Sequence, residues 1–215
     1  MNIKVFLVLL SGLFWTIVYI DAIRIGFKYK TYAIPFWALA LNIAWELLCS
    51  IIGFIEIGVN EQIVVNVIWL IFDIFIIITY FKFGFSENNF KSKNTFYTWS
   101  IVAIFSSVIV QYLFIREFGL IPGSSYMAFL QNLLMSVLFI DLLHKRQSSE
   151  GQSMLIAVSK CLGTVAPVIL FGYIGIQRLG GPNDFILGMG ILILFFDLAY
   201  IFLLRKKIMS EKMVN

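Results

Sequence analysis

Glu46, Asp73 and Asp197 are acids set deep within stretches that otherwise read as membrane-spanning helix. A charged side chain at the bilayer centre costs about 3 kcal/mol or more, so such residues face a protein interior, a cavity or a substrate. Carboxyl groups kept from water can do general-acid work, because burial opposes the charged form and keeps a proton available. The spacing adds partners. Asn42 precedes Glu46 by four residues and shares its helical face, with Trp45 alongside. Asn66, Trp69 and Asp73 follow at spacings of three and four, and Tyr200 lies three residues after Asp197. Gln131, Asn132 and Ser136 give another polar face. The expected catalytic set is therefore Glu46, Asp197 and Asp73. The expected substrate-binding set is Asn42, Trp45, Asn66, Trp69, Gln131, Asn132 and Tyr200. In the competing reading each acid only hydrogen-bonds a neighbouring helix.

The elements that must position these residues follow from composition. Hydrophobic residues make up 60% of the 215, charged residues 13%, and the mean hydropathy is +0.93. A soluble domain is rarely so apolar, so the chain reads as an all-α polytopic membrane protein. Seven apolar stretches, roughly 3–21, 33–56, 62–81, 96–115, 121–143, 154–176 and 185–204, each approach the ~20 residues that a bilayer core requires. They make one seven-helix transmembrane domain over 1–215. Of the basic residues, Lys4, Arg116 and Arg178 fall on the side of the N-terminus. Twelve fall on the other, from Arg24 to Lys212, and Lys160 is left over near the start of the sixth stretch. The positive-inside rule then predicts an external N-terminus and a cytoplasmic C-terminus. This distribution accounts for the formal charge of +4 without nucleic acid as a partner.

Other features carry less chemistry. The first stretch lacks a small-x-small cleavage pattern and reads as a retained helix. Cys49 and Cys161 suit packing as small hydrophobes better than a metal site or a disulfide. His144 reads as a solvated interfacial residue beside Lys145 and Arg146, so neither metal nor cofactor is expected. Asp21 and Asp141 are expected at solvated span ends, as partners of Arg24 and Lys145. Their flanks, Tyr19-Ile20-Asp21 and Phe139-Ile140-Asp141, echo each other, as do Phe72-Asp73 and Phe196-Asp197. Parallel repeats of spans 1–3 and 5–7 around an unpaired span 4 would produce that echo. Aromatic residues reach 17%. They suit lipid-facing surface, packing and interfacial belts, or a pocket for a cationic intermediate.

The Asn42-Ile43-Ala44-Trp45-Glu46 element, Trp69 four residues before Asp73, and Asp197 in the last of seven spans together resemble the integral-membrane terpene cyclases. These are known from fungal meroterpenoid and indole-diterpene pathways, with bacterial relatives. The resemblance covers the chain in size and layout, and it implies that Glu46 and Asp197 are tied to catalysis, with Asp73 beside them. Neither a DxDD run nor a DDxxD metal-diphosphate motif occurs. The implied reaction is a class II-like cyclisation. Protonation of an epoxide or alkene on a linear or prenylated isoprenoid lipid would start it, within the lipid bilayer that dissolves the substrate. The alternative is a small proton-coupled or facilitative transporter, favoured by the echo and by Pro35 and Pro167 as possible kinks. A third class, a non-catalytic partner or sensor, would use Arg205-Lys206-Lys207 against anionic headgroups. A last span without lysine, and so without a Schiff-base residue, argues against a retinal protein.

Overall fold

The computed structural model describes residues 2–214. Its helices are α1 (Ile3–Tyr29), α2 (Phe36–Ile57), α3 (Glu61–Glu87), α4 (Lys93–Phe118), α5 (Leu120–Arg146), α6 (Met154–Pro167) and α7 (Asp184–Val214). A π-helical segment, Val168–Ile174, continues α6, and a short 3-10 turn follows at Gln177–Leu179. Among the described residues, seven helical segments are long and apolar enough to cross a membrane, with α6 and its π continuation counting as one. Among the described residues there is no β-strand, only an isolated bridge between Ile176 and Gly181. Several helices run past the apolar stretches. α1 continues through Arg24 and Lys28, α3 through Lys82, and α7 through Arg205–Lys207. Helical hydrogen bonding does not stop where hydrophobicity does, because basic side chains can continue a helix into the headgroup zone.

Local chemistry sets the helix ends. Asn60, Ser92 and Ser153 accept from backbone amides at the starts of α3, α4 and α6, satisfying N–H groups that lack a partner within the helix. Pro35 lies just before α2 in extended backbone, not inside it, so it starts that helix and does not kink it. Pro167 is different. It lies at the junction of α6 with the π segment and has no N–H to donate to the Gly163 carbonyl. Ser11 Oγ donates to that carbonyl at 2.8 Å. A proline inside a membrane helix is tolerated when another group takes over in this way.

The chain forms two compact units. One comprises Met1–Asp21 with Asn132–Asn215, and the other is Ala22–Gln131, so α1 and α5 each contribute to both. In the first unit α6, the π segment and α7 pack together, and Gly163 lets α1 approach: a Cβ there would lie 3.0 Å from the Trp15 ring. In the second, α2 packs on α3 and α4. Rings close one end of this second unit. Tyr80 stacks on Phe36 at 4.3 Å and meets Tyr32 and Phe96 edge-on or tilted. Much of the aromatic richness is therefore packing. Large apolar side chains such as Ile55, Phe105 and Phe195 remain exposed, as a lipid-facing surface requires.

Candidate active site

Polar side chains gather in two clusters, one in each unit. In Ala22–Gln131 the centre is Asn42 on α2. Its Nδ2 donates to Glu46 Oε1 at 3.1 Å and to Asp73 Oδ2 on α3 at 2.9 Å. Both carboxyl groups are buried, Glu46 at 1% exposure and Asp73 at 0%. The orientation of the Asn42 amide is fixed from behind. Gln131 Nε2 donates to Asn42 Oδ1 at 3.2 Å, and Gln111 Nε2 on α4 donates to Gln131 Oε1 at 2.6 Å. Gln111 also reaches the Leu41 carbonyl at 3.3 Å. Four helices thus converge on two carboxyl groups through a one-way relay of amide donors. Each amide leaves the next only one way to point.

Asp73 Oδ1 has no hydrogen-bond partner among the described residues. It can still accept or give a proton. Trp45, half-buried beside Glu46 in sequence, donates its indole N–H to the Ser124 carbonyl at 2.8 Å, which fixes its ring. Asn66 lies apart from this network and accepts from Gln62 at 2.8 Å. Trp69 is half-buried on the same helix.

The second cluster belongs to the unit that holds α6 and α7. Lys160 Nζ lies 2.7 Å from Asp197 Oδ1 and donates to Ser136 Oγ at 2.7 Å. Both members of the ion pair are buried. Asn132 Nδ2 donates to Thr164 Oγ1, and Thr164 and Ser136 each donate to a backbone carbonyl one turn earlier. Asp197 Oδ2 has no hydrogen-bond partner among the described residues. Tyr200 points to a different neighbour, donating to Gln152 Oε1 at 2.8 Å while its ring stacks on Phe139 at 5.1 Å.

Sequence reasoning grouped Asn42 with Glu46 correctly and supplied Asp73 and Gln131, but it missed two residues. Lys160 falls outside a charge count made on loops, although it is an ionisable residue inside a span. The cost that singled out the acids applies equally to it. Gln111 gave only a weaker signal, a lone amide in an apolar helix. Asp21 also departs from expectation. It is buried, lies two turns before the end of α1, and accepts from Ser153 Oγ at 2.6 Å. Asp141, its partner in the sequence echo, is exposed. The matched acids therefore sit in unlike surroundings, and the boundaries of the two units do not follow spans 1–3 and 5–7.

The sequence model of the Pyr4-like transmembrane terpene cyclases matches residues 1–208. The chain is 27% identical over 170 residues to "Pyr4-family terpene cyclase mfmH" of Annulohypoxylon moriforme, covering 77% of this chain and 68% of that protein. It is 38% identical over 79 residues to "Terpene cyclase cle7" of Aspergillus versicolor, which covers 37% of this chain and 32% of that protein. No solved structure matches. Seven apolar helices, buried carboxyl groups and a family match over almost the whole chain lead to one conclusion: it belongs to the Pyr4-like transmembrane terpene cyclases and is a multi-pass membrane enzyme.

Proposed function

We propose that the enzyme cyclises a linear or prenylated isoprenoid by protonating a terminal epoxide or alkene, with Glu46 as the donor and Asp73 as its partner acid. One observation carries the reading: a single neutral amide nitrogen, that of Asn42, is shared by two buried carboxyl groups. Asn42 supplies hydrogen bonds but no positive charge. Two negative charges so placed would repel without a balancing cation, so the pair is suited to holding a proton. That proton passes from the carboxyl oxygen to the epoxide oxygen, whose C–O bond opens, or to an alkene carbon. Successive alkene electron pairs then form C–C bonds and move the positive charge along the chain.

Asp197 serves best as the anion that ends the sequence. Lys160 gives it the cation that Asn42 cannot give Glu46 and Asp73. In the final step a C–H bond breaks, its electron pair becomes a C=C bond, and the proton goes to the Asp197 carboxylate. Both acids return to their starting states by exchange with water, and the product is an isomer of the substrate. The rings of Trp45 and Trp69 are candidates to face the cation. Asn66, Gln131 and Tyr200 already bond within the protein and act best as supports, as does Asn132 through its Nδ2, although the Asn132 Oδ1 has no hydrogen-bond partner among the described residues. The basic residues favour an external N-terminus and a cytoplasmic C-terminus.

Membranes holding wild type or Glu46→Gln, incubated with linear prenyl lipids and their terminal epoxides, test this. The wild type should make a cyclic isomer of unchanged mass, detected by chromatography with mass spectrometry. Glu46→Gln should lose about 10²-fold or more of the rate, the scale of general-acid catalysis. Full turnover by Glu46→Gln would remove the assignment.

A further inference from the structure

The amide relay behind Asn42 has a direction, and the direction has an anchor. Gln111 on α4 is fully buried and uses its amide nitrogen twice, on the Leu41 carbonyl at 3.3 Å and on Gln131 Oε1 at 2.6 Å. A backbone carbonyl can only accept, so the contact with Leu41 turns Nε2, and not Oε1, toward α2. Gln131 must then offer Nε2 to Asn42 Oδ1, and Asn42 must offer Nδ2 to Glu46 and Asp73. This direction leaves one buried atom over. Gln111 Oε1 has no hydrogen-bond partner among the described residues, and Ser107, one turn earlier on α4, uses its hydroxyl on the Ala103 carbonyl. Were the three amides turned round, Gln111 Oε1 would accept from Gln131, and Asn42 would meet the acids with an oxygen. That oxygen could bond both acids only if each carried a proton. The unpartnered atom thus lies at the end of the relay remote from the acids, and N–H groups lie at the end beside them.

We propose that Gln111 is a positioning residue for cyclisation: held by the Leu41 carbonyl, it acts through Gln131 to keep the Asn42 N–H donors on Glu46 and Asp73. Gln131 and Asn42 separate it from both acids, so it governs how the pair is held and makes no contact with the reacting atoms. An amide N–H bonds a carboxylate and the C=O oxygen of a neutral acid alike. The same two bonds therefore persist while the pair gives up its proton and takes one back. A relay facing the other way would have to rotate Gln111, Gln131 and Asn42 at that step. Donors that need no rearrangement as charge changes are the ones that lower a barrier. The proposal rests on this pair being the acid of the reaction, but not on which member gives the proton.

A double-mutant cycle tests it. Gln111→Met keeps the length of the side chain and removes the amide, and Asn42→Leu removes the group it acts through. Wild type, both singles and the double are assayed in membranes on prenyl alcohols and terminal epoxides of different lengths. Rates are referred to folded enzyme, counted by size-exclusion chromatography in detergent. Gln111→Met should lower kcat about fivefold, the scale of one neutral hydrogen bond, and leave KM unchanged. In the Asn42→Leu background the same change should lower kcat less than about twofold. Gln131→Met, which interrupts the relay between them, should match Gln111→Met. An equal loss in both backgrounds, a KM that rises while kcat holds, or an unchanged kcat overturns the proposal. Glu46→Gln and Asp73→Asn, run alongside, report on the pair itself. Full turnover by both removes the acid reading and this proposal with it, whereas failure of the cycle alone removes only Gln111. If no chain is turned over, infrared spectra of the same proteins carry the test. The carboxylic C=O band lost in Glu46→Gln or Asp73→Asn should shift in Gln111→Met and in Asn42→Leu, and the double should shift it no further than Asn42→Leu. A band unmoved in Gln111→Met, or absent from wild type, overturns the proposal.

Discussion

Removing Lys160 should cost far more than removing the whole ion pair. In Lys160→Met, Asp197 keeps its place at 3% exposure and loses an ammonium group at 2.7 Å. Breaking one side of such a buried pair costs about 3–5 kcal/mol, because a charge is left uncompensated. At about 2–4 °C per kcal/mol for a chain of this length, the midpoint of thermal unfolding should fall by about 10 °C. Asp197→Leu leaves the Lys160 ammonium with the Ser136 hydroxyl as its one hydrogen-bond partner among the described residues, and its midpoint should fall by a similar amount. The double variant Lys160→Met/Asp197→Leu removes both charges and fills the space with apolar atoms. It should recover most of the loss, because a buried pair replaced by hydrophobes of similar size is often neutral or better. The assay is thermal unfolding of the four proteins in one detergent, combined as a double-mutant cycle. Additive effects, with the double no better than the sum of the singles, would refute the reasoning.

Other substitutions test the rest of the arrangement. Asn42→Leu deletes the donor shared by Glu46 and Asp73 and should lower kcat about 10–100-fold, the worth of one or two hydrogen bonds to acidic groups, in the product assay. Gly123→Ala should lower the unfolding midpoint and membrane yield by an amount equivalent to about 1–3 kcal/mol. Its Cβ would lie 2.5 Å from the Phe114 carbonyl oxygen, and backbone gives way less readily than a side chain. For orientation, Asn2→Cys should react with a membrane-impermeant maleimide on intact cells, and Ser210→Cys only after permeabilisation. The buried thiols of Cys49 and Cys161 should stay silent in both.

The spans were legible because bilayer thickness imposes a length that composition reveals directly. The acids stood out for the same reason, as exceptions within apolar text. Their partners were legible only inside one helix. Asn42 and Glu46 are four apart, and helix geometry alone predicts their shared face. The links from Asn42 to Asp73 and from Lys160 to Asp197 join different helices, and no spacing rule reaches across them. Charge counting worked against Lys160, since a tally of loop residues sets aside any lysine that falls within a span. The end of α1 is not legible from composition, because hydrophobicity marks the bilayer core and not the helix. Asp21 looked terminal for that reason, although the helix continues to Tyr29 and the side chain is buried. The π segment had a visible cause in Pro167, but whether a proline bends, breaks or widens a helix depends on its neighbours. Here Ser11, far away in sequence, takes the free carbonyl.

The two clusters differ in one chemical choice, and that choice can be exchanged. A carboxyl pair bridged by an amide has hydrogen bonds without a cation, whereas Asp197 has a cation in contact. If the neutral bridge is what lets Glu46 act as a donor, Asn42→Lys should place an ammonium group between Glu46 and Asp73 and hold both as carboxylates. Its unfolding midpoint should fall no further than that of Asn42→Leu, because both lose the oxygen that accepts from Gln131 and the new ammonium is paired with the carboxylates. Turnover should nevertheless fall below that of Asn42→Leu, which removes the bridge without adding charge. A merely structural role for Asn42 predicts the opposite order, since lysine can still donate hydrogen bonds and leucine cannot. Product formation by the two variants, measured beside their unfolding midpoints, separates these readings. An Asn42→Lys enzyme more active than Asn42→Leu would show that charge at this site does not control the proton.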